Sequence, residues 1–327
     1  MGFMTGIELT PLIIDRARGT LLASAVGDVL GVPYEFAAPT TDPQMVGGGL
    51  GPYAPGEWSD DTQMAICIAQ VADSGIRLTT DKAQDDIGEN FIHWLRDGAS
   101  DVGIQTQAVL NRAAESSGDY SDRLRAAARE YAASTDRAAG NGALMRVGPI
   151  GIAFLWDREA TARAARDIAS LTHDDDLVFE SCVLWAEAIR VAVTEGRLDV
   201  RAGLDLLRTD SVPFWESALA DADKGIINPR TNGFTVSALQ CAWYAVRSTV
   251  DLFGEGAMYE GLRKAVKIGG DTDTVAAIAG ALLGARWGES AVPQDWKDKI
   301  FGWPDMTGAQ LADMGERIVR NSQPRGF

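Results

Sequence analysis

The chain is predicted to be all-α, and three observations carry that prediction. Apolar residues recur at three- and four-residue spacing in segment after segment between residues 11 and 287. No alternating run is long enough to argue for a strand. No repeat or low-complexity linker divides the 327 residues, whose apolar share of 46% is ample for a sizeable core. Length alone allows one large domain or two; without a linker, 1–327 reads as one domain of ten or more helices.

Residues 11–30 carry Ile14, Ala17, Leu21, Leu22, Ala25 and Val26 at helical spacing. This segment runs into Gly27-Asp28-Val29-Leu30-Gly31-Val32-Pro33-Tyr34-Glu35, a spacing too loose to mean much alone. A solvated Asp and Glu near a helix end is the ordinary reading. Glu35 gains interest because apolar residues flank it and a Pro/Gly-rich loop, residues 39–57, follows; loops of that length in compact domains are commonly functional. Helices are expected over 62–74 and over 83–97, where Ile87, Phe91, Trp94 and Leu95 share a face, then through Leu110 and over 121–133. The pattern continues over 158–171, 177–195, 199–207, 234–248, 257–267 and 274–287. Gly280 and Gly284 in the last of these predict close helix–helix contact, since the small-residue run there is too short to span a bilayer.

Composition removes several function classes. A formal charge of −16 with no basic run disfavours a nucleic-acid backbone as partner. Met1 to Thr10 show neither a basic nor an apolar targeting region, so a cytoplasmic, membrane-free protein is expected. Cys67, Cys182 and Cys241 are widely spaced among apolar residues, as buried free thiols are in a reducing compartment. With only His93 and His173, a zinc site rich in His or Cys is disfavoured.

Chemistry concentrates in two matching stretches. Gly269-Gly270-Asp271-Thr272-Asp273-Thr274 sets two carboxylates and two hydroxyls after a glycine turn and opens an apolar helix. Trp58-Ser59-Asp60-Asp61-Thr62 does the same upstream, ahead of Met64 to Ala69. Either stretch alone could be a helix cap, where side-chain oxygens meet free N–H groups and negative charge suits the dipole. Two such caps on helices that must be buried bring four carboxylates near one another, which is unfavourable without a cation between them. Three weaker signals accompany them. Asp101, in Gly98-Ala99-Ser100-Asp101-Val102-Gly103, is an N-cap or a site acid. Gly140-Asn141-Gly142 is a turn whose N–H groups could meet phosphate or sugar oxygens. His173, in Thr172-His173-Asp174-Asp175-Asp176, is a helix-terminal polar residue or a hydrogen-bonding group in a cleft.

Together these motifs resemble the ADP-ribosylglycohydrolases, the family of dinitrogenase-reductase-activating glycohydrolase and the ADP-ribosylarginine hydrolases. The resemblance covers nearly the whole chain: residues 27–35, 55–65, 100–106, 140–151, 172–176 and 269–285, with WSDDT paired with GGDTDT the most specific part. It implies an all-α globule with a central cleft holding two divalent cations, Mg²⁺ or Mn²⁺. The ligand positions match Ser59, Asp60, Asp61, Asp271, Asp273 and Thr274, and Glu35 and Asp101 match the other two acidic positions. Ser59 replaces the more usual Thr and keeps the hydroxyl; Val275 stands where many members have Asn.

The implied reaction is hydrolysis at ribose C1 of an ADP-ribosylated acceptor, protein or small molecule, with arginine on protein as the expected acceptor. Asp101 or Glu35 would transfer the proton, and Asn141, Gly142 and His173 would hold phosphates and ribose. Phe234, where the family often has a Tyr, would stack on adenosine or pack in the core. Rival readings are an ADP-ribose-binding or partner-capping module with little turnover, a hydrolase of another ADP-ribosyl linkage, and a two-metal phosphoester hydrolase.

Overall fold

The computed structural model describes residues 7–38 and 40–323. Fourteen α-helices occur among them: α1 Pro11–Gly31, α2 Asp60–Asp73, α3 Asp81–Asp97, α4 Ile104–Ala114, α5 Tyr120–Ser134, α6 Gly148–Ala153, α7 Arg158–Ala169 and α8 Asp176–Glu195 in the first part. They continue with α9 Val212–Asp223, α10 Thr235–Arg247, α11 Gly254–Ile268, α12 Thr272–Trp287, α13 Gln294–Lys297 and α14 Gly308–Asn321. The expected all-α class therefore holds. The segment expected as a helix over 199–207 is a 3-10 helix, Val200–Leu206, and α6, α9, α13 and α14 lie outside the expected elements. So does a two-residue hairpin, β1 Phe301–Gly302 pairing antiparallel with β2 Met306–Thr307.

The core is built around α1 and α12. α12 is buried from Thr272 to Ala285, so it has no solvent face. Its Gly280 and Gly284 lie against the carbonyls of Ala23 and Gly19, and Gly27 of α1 lies against that of Ala276, so closely that a Cβ at any of the three would collide with backbone. The pairing of early α1 with late α12, and of late α1 with early α12, makes the two helices antiparallel. Ser24 donates to the Ala277 carbonyl at 3.0 Å, and Thr272 Oγ1 to that of Gly31 at 2.8 Å, which fixes the register. The end of α1 is thereby placed beside the start of α12. No helix among the described residues is long and apolar enough to cross a membrane. The three cysteines are buried and free, as expected.

Candidate active site

At the start of α2 the two acids do not serve as caps. Ser59 occupies the N-cap position, yet its side chain accepts nothing from the helix; its hydroxyl donates to Asp28 at 2.8 Å and lies 3.3 Å from Asp61 Oδ2. Asp28 gathers four donors in all, from the N–H and hydroxyl of Ser59 and those of Thr62, the last at 2.6 Å. It is fully buried, where the sequence suggested a solvated acid. Asp61 Oδ1 is also buried, and has no hydrogen-bond partner among the described residues. A carboxylate oxygen left unpaired in the interior is costly unless something positive meets it.

The start of α12 is held differently. Asp271 is the N-cap residue and again makes no capping bond; its Oδ2 accepts from Asn141 Nδ2 at 2.8 Å, and its N–H donates to Asn232 Oδ1 at 2.9 Å. Asn232 Nδ2 closes the arrangement on the Gly269 carbonyl at 2.9 Å, and Gly270, at φ 78°, leaves room for the Asn232 side chain. Thr274 bridges the two helix starts by donating to Asp61 Oδ2 at 3.3 Å.

The two stretches thus meet. Carboxylate oxygens of Asp28, Asp61 and Asp273 lie within 4.8 Å of one another, and so do those of Glu35, Asp271 and Asp273. Asp273 is common to both triads. Burial first, and mutual repulsion second, pushes these groups toward the protonated form: Glu35 and Asp60 to about 8, and Asp61 and Asp273 well above the carboxylate range. Burial also raises Asp271, and moves Asp28 to about 6 against the hydrogen bonds that hold it. The donors are all oxygens, with an orphaned buried oxygen among them, which is the chemistry of a hard divalent cation. The residues fit such an ion.

A cavity of about 530 Å³ opens from this cluster. Glu35, Asp60, Asp61, Asp101, Asp271, Asp273 and Thr274 line it, and so do Asn141, Gly142 and His173. Asp101 is not a helix cap: α4 starts after Gly103, which supplies no side chain, and among the described residues Asp101 accepts only from the adjacent Val102 N–H at 2.8 Å. Asn141 differs from expectation. Its N–H donates to Gly233 at 3.1 Å and its Nδ2 to Asn232 O and Asp271, so it holds Asp271 in place instead of offering free donors. The Gly142 N–H has no partner among the described residues. Phe234 is not a lining residue; its neighbour Gly233 is, while Phe234 pairs with Gly140 in an isolated bridge and stays 37% exposed.

Three contributors escaped sequence reasoning. Asp28 lay in a quoted motif, but the donors that hold it, Ser59 and Thr62, come from the start of α2. Asn232 had no motif of its own. Gln105 lines the cavity with a buried, unpartnered Oε1, and only its neighbour Asp101 drew notice.

Comparisons with known proteins place the chain in a family. The sequence model of the family described as ADP-ribosylglycohydrolase matches residues 9–326. Similar proteins include the ADP-ribosylarginine hydrolase Tri1 of Pseudomonas putida, 28% identical over 295 residues, covering 89% of this chain and 76% of that protein. The ADP-ribosyl-[dinitrogen reductase] glycohydrolase of Rhodospirillum rubrum is 28% identical over 310 residues, covering 91% and 92%. A solved structure described as an ADP-ribosylglycohydrolase-related protein complex superimposes with a TM-score of 0.72 at 27% identity, over 96% of this chain and 100% of that one. The chain belongs to the ADP-ribosylglycohydrolase family. It is accordingly an enzyme, a hydrolase of glycosidic bonds.

Proposed function

We propose that the protein releases ADP-ribose from ADP-ribosylated arginine on proteins, by hydrolysis at ribose C1, with the chain acting as one domain and two divalent cations, Mg²⁺ or Mn²⁺, as cofactor. The observation that carries this reading is the pair of acid triads joined at Asp273 beside the unpartnered Asp61 Oδ1. Ser59, Asp60, Asp61, Asp271, Asp273 and Thr274 would hold the ions, with Asp28 and Glu35 close enough to take part. When bound, the ions supply positive charge that polarises the ribose hydroxyls and the attacking water.

The chain's own residues supply the rest. Asp101 lines the cavity without a role in helix capping, so its carboxylate is available to take the proton of the attacking water. Glu35, half-buried among acids that raise its pKa, is the second group able to carry a proton there. Water adds to C1, the C1–N bond breaks, and the guanidinium nitrogen leaves with a proton. Asn141 and Asn232 keep Asp271 in place, while the Gly142 N–H and His173 face the ligand's remaining oxygens.

The test is to incubate the protein with an ADP-ribosylated arginine peptide and Mg²⁺ or Mn²⁺, then analyse the products, with serine-linked peptide in parallel. Free ADP-ribose from the arginine peptide supports the reading. AMP would instead mean phosphoester hydrolysis, and ADP-ribose bound without any product would mean a binding module. Release from the serine peptide alone would move the acceptor.

A further inference from the structure

His173 of the cavity lining is the end of a chain of three buried side chains, and the proposed reaction has no direct use for the other two. Arg146, Thr172 and His173 are each no more than 1% exposed. Arg146 Nη2 donates to Thr172 Oγ1 at 2.6 Å, and Thr172 Oγ1 is 2.7 Å from His173 Nδ1. Arg146 forms no ion pair with a carboxylate among the described residues; its other neighbours are Met64 Sδ at 3.4 Å and the Phe91 ring, 4.4 Å from its centroid. A buried cation without a counter-ion is costly, and this one spends its best hydrogen bond on a threonine hydroxyl.

We infer that Arg146 and Thr172 are positioning residues that lock His173 in the tautomer with its proton on Nε2, making it a fixed, neutral donor to an oxygen of the bound ligand. The inference rests on reading the cavity as the ADP-ribose site.

The logic follows from which groups can accept. A guanidinium has only donors, so Thr172 Oγ1 must accept from Arg146. The hydroxyl then has one hydrogen of its own to place, and among the described residues its acceptor is His173 Nδ1. Were Nδ1 protonated, the Thr172 hydrogen would be buried without a partner. The proton therefore belongs on Nε2. That edge of the ring faces Gly140 and Gly142, where an added Cβ would come within 3.4 Å and 3.8 Å of Nε2, and it has no protein partner among the described residues. Both glycines leave the donor uncovered toward the cavity that His173 lines. Burial, and then the Arg146 charge, pushes the imidazole pKa down to about 3, so the ring stays neutral.

The chain has only two histidines, and His93 is exposed, so ¹⁵N NMR of the imidazoles reads the tautomer without ambiguity. In wild type, His173 should show a protonated Nε2 and an unprotonated Nδ1. Thr172→Val should release the lock, giving mixed or reversed tautomers and ~3–10-fold weaker ADP-ribose binding at unchanged Mn²⁺ content, the loss of about one hydrogen bond. Thr172→Ser should restore both. A wild-type His173 protonated on Nδ1 overturns the inference, and that measurement needs no variant. So does a Thr172→Val protein whose tautomer and affinity are unaltered. If the lock is found and released as expected but wild type binds no ADP-ribose, the relay stands and the assignment of the cavity fails instead.

Discussion

The two acid-bearing helix starts are alike in sequence and differ in what anchors them. The start of α2 hangs on one buried carboxylate, Asp28, which collects two amides and two hydroxyls. The start of α12 is held by the neutral amides of Asn141 and Asn232. An amide keeps its donors and acceptors at every accessible pH, whereas Asp28 sits inside the acid cluster and its own charge is opposed by burial, with the pKa moved to about 6. One wall of the site is thus built to be indifferent to charge. The other shares the electrostatic fate of the ligands it positions.

Deleting one acid from each wall has the largest expected effect. Asp60→Ala and Asp271→Ala should both abolish ADP-ribose release and Mn²⁺ binding while circular dichroism shows the helices intact, since neither side chain makes a capping hydrogen bond. Near-normal turnover in either variant would sink the metal-site reading for that wall.

Next comes Asp101, which belongs to neither anchor. Asp101→Asn keeps the shape and should keep ADP-ribose affinity and metal content, yet slow turnover by ~10²–10⁴-fold if its carboxylate moves the proton. The capping explanation is already gone, because α4 is capped at Gly103. Turnover and affinity measured beside Glu35→Gln decide between the two acids; a larger loss at Glu35 would transfer the role.

The anchors themselves are compared by stability in EDTA. Asp28→Ala strips four donors of their acceptor and should cost ~3 kcal/mol, whereas Asn232→Ala frees one N–H and one carbonyl and should cost ~1–2 kcal/mol. Urea denaturation of the two variants ranks them. The reverse order would mean that α12, not α2, has the tighter hold.

The acids of both starts were legible because side-chain type and spacing carry their chemistry, and Gly280 and Gly284 announced a close helix–helix contact, though not that α1 is the partner. Asp28 was not legible, since a carboxylate at the end of a helix is solvated or buried according to partners on another element, here Ser59 and Thr62. α6, six residues of glycine, proline and aliphatics, has too little periodicity to be read. α9 and α14 did carry a signal: Trp215, Ala218, Leu219 and Ala222 in one, and in the other a capping box from Thr307 to Gln310 ahead of Leu311, Met314 and Ile318. Asn141 shows the converse limit, for a glycine turn suggests free amides, and the fold has committed the Asn141 N–H to Gly233 and its side chain to Asp271 while the Gly142 N–H stays without a partner among the described residues.

The pH dependence of stability separates the walls by charge. Without metal, Glu35 and Asp60 titrate near 8 in the folded chain, against ordinary values of about 4.3 and 3.9 when unfolded. Between those limits the folded state binds more protons than the unfolded one, so stability is fully present below about pH 4 and is lost as pH rises toward 8. In EDTA the melting temperature should therefore be higher at pH 5 than at pH 8. Mg²⁺ or Mn²⁺ binds the deprotonated acids, so its stabilisation, ~2.7 kcal/mol at a hundredfold excess over the dissociation constant, should be larger at pH 8 than at pH 5. Asn232→Ala should lower the melting curve at both pH values by a similar amount, because it removes no charge, whereas Asp28→Ala removes one repelling acid and should flatten the slope. A melting temperature in EDTA that is level between pH 5 and pH 8, or equal slopes in the two variants, would mean that both walls are charge-indifferent and that the acid cluster is not strained in the metal-free protein.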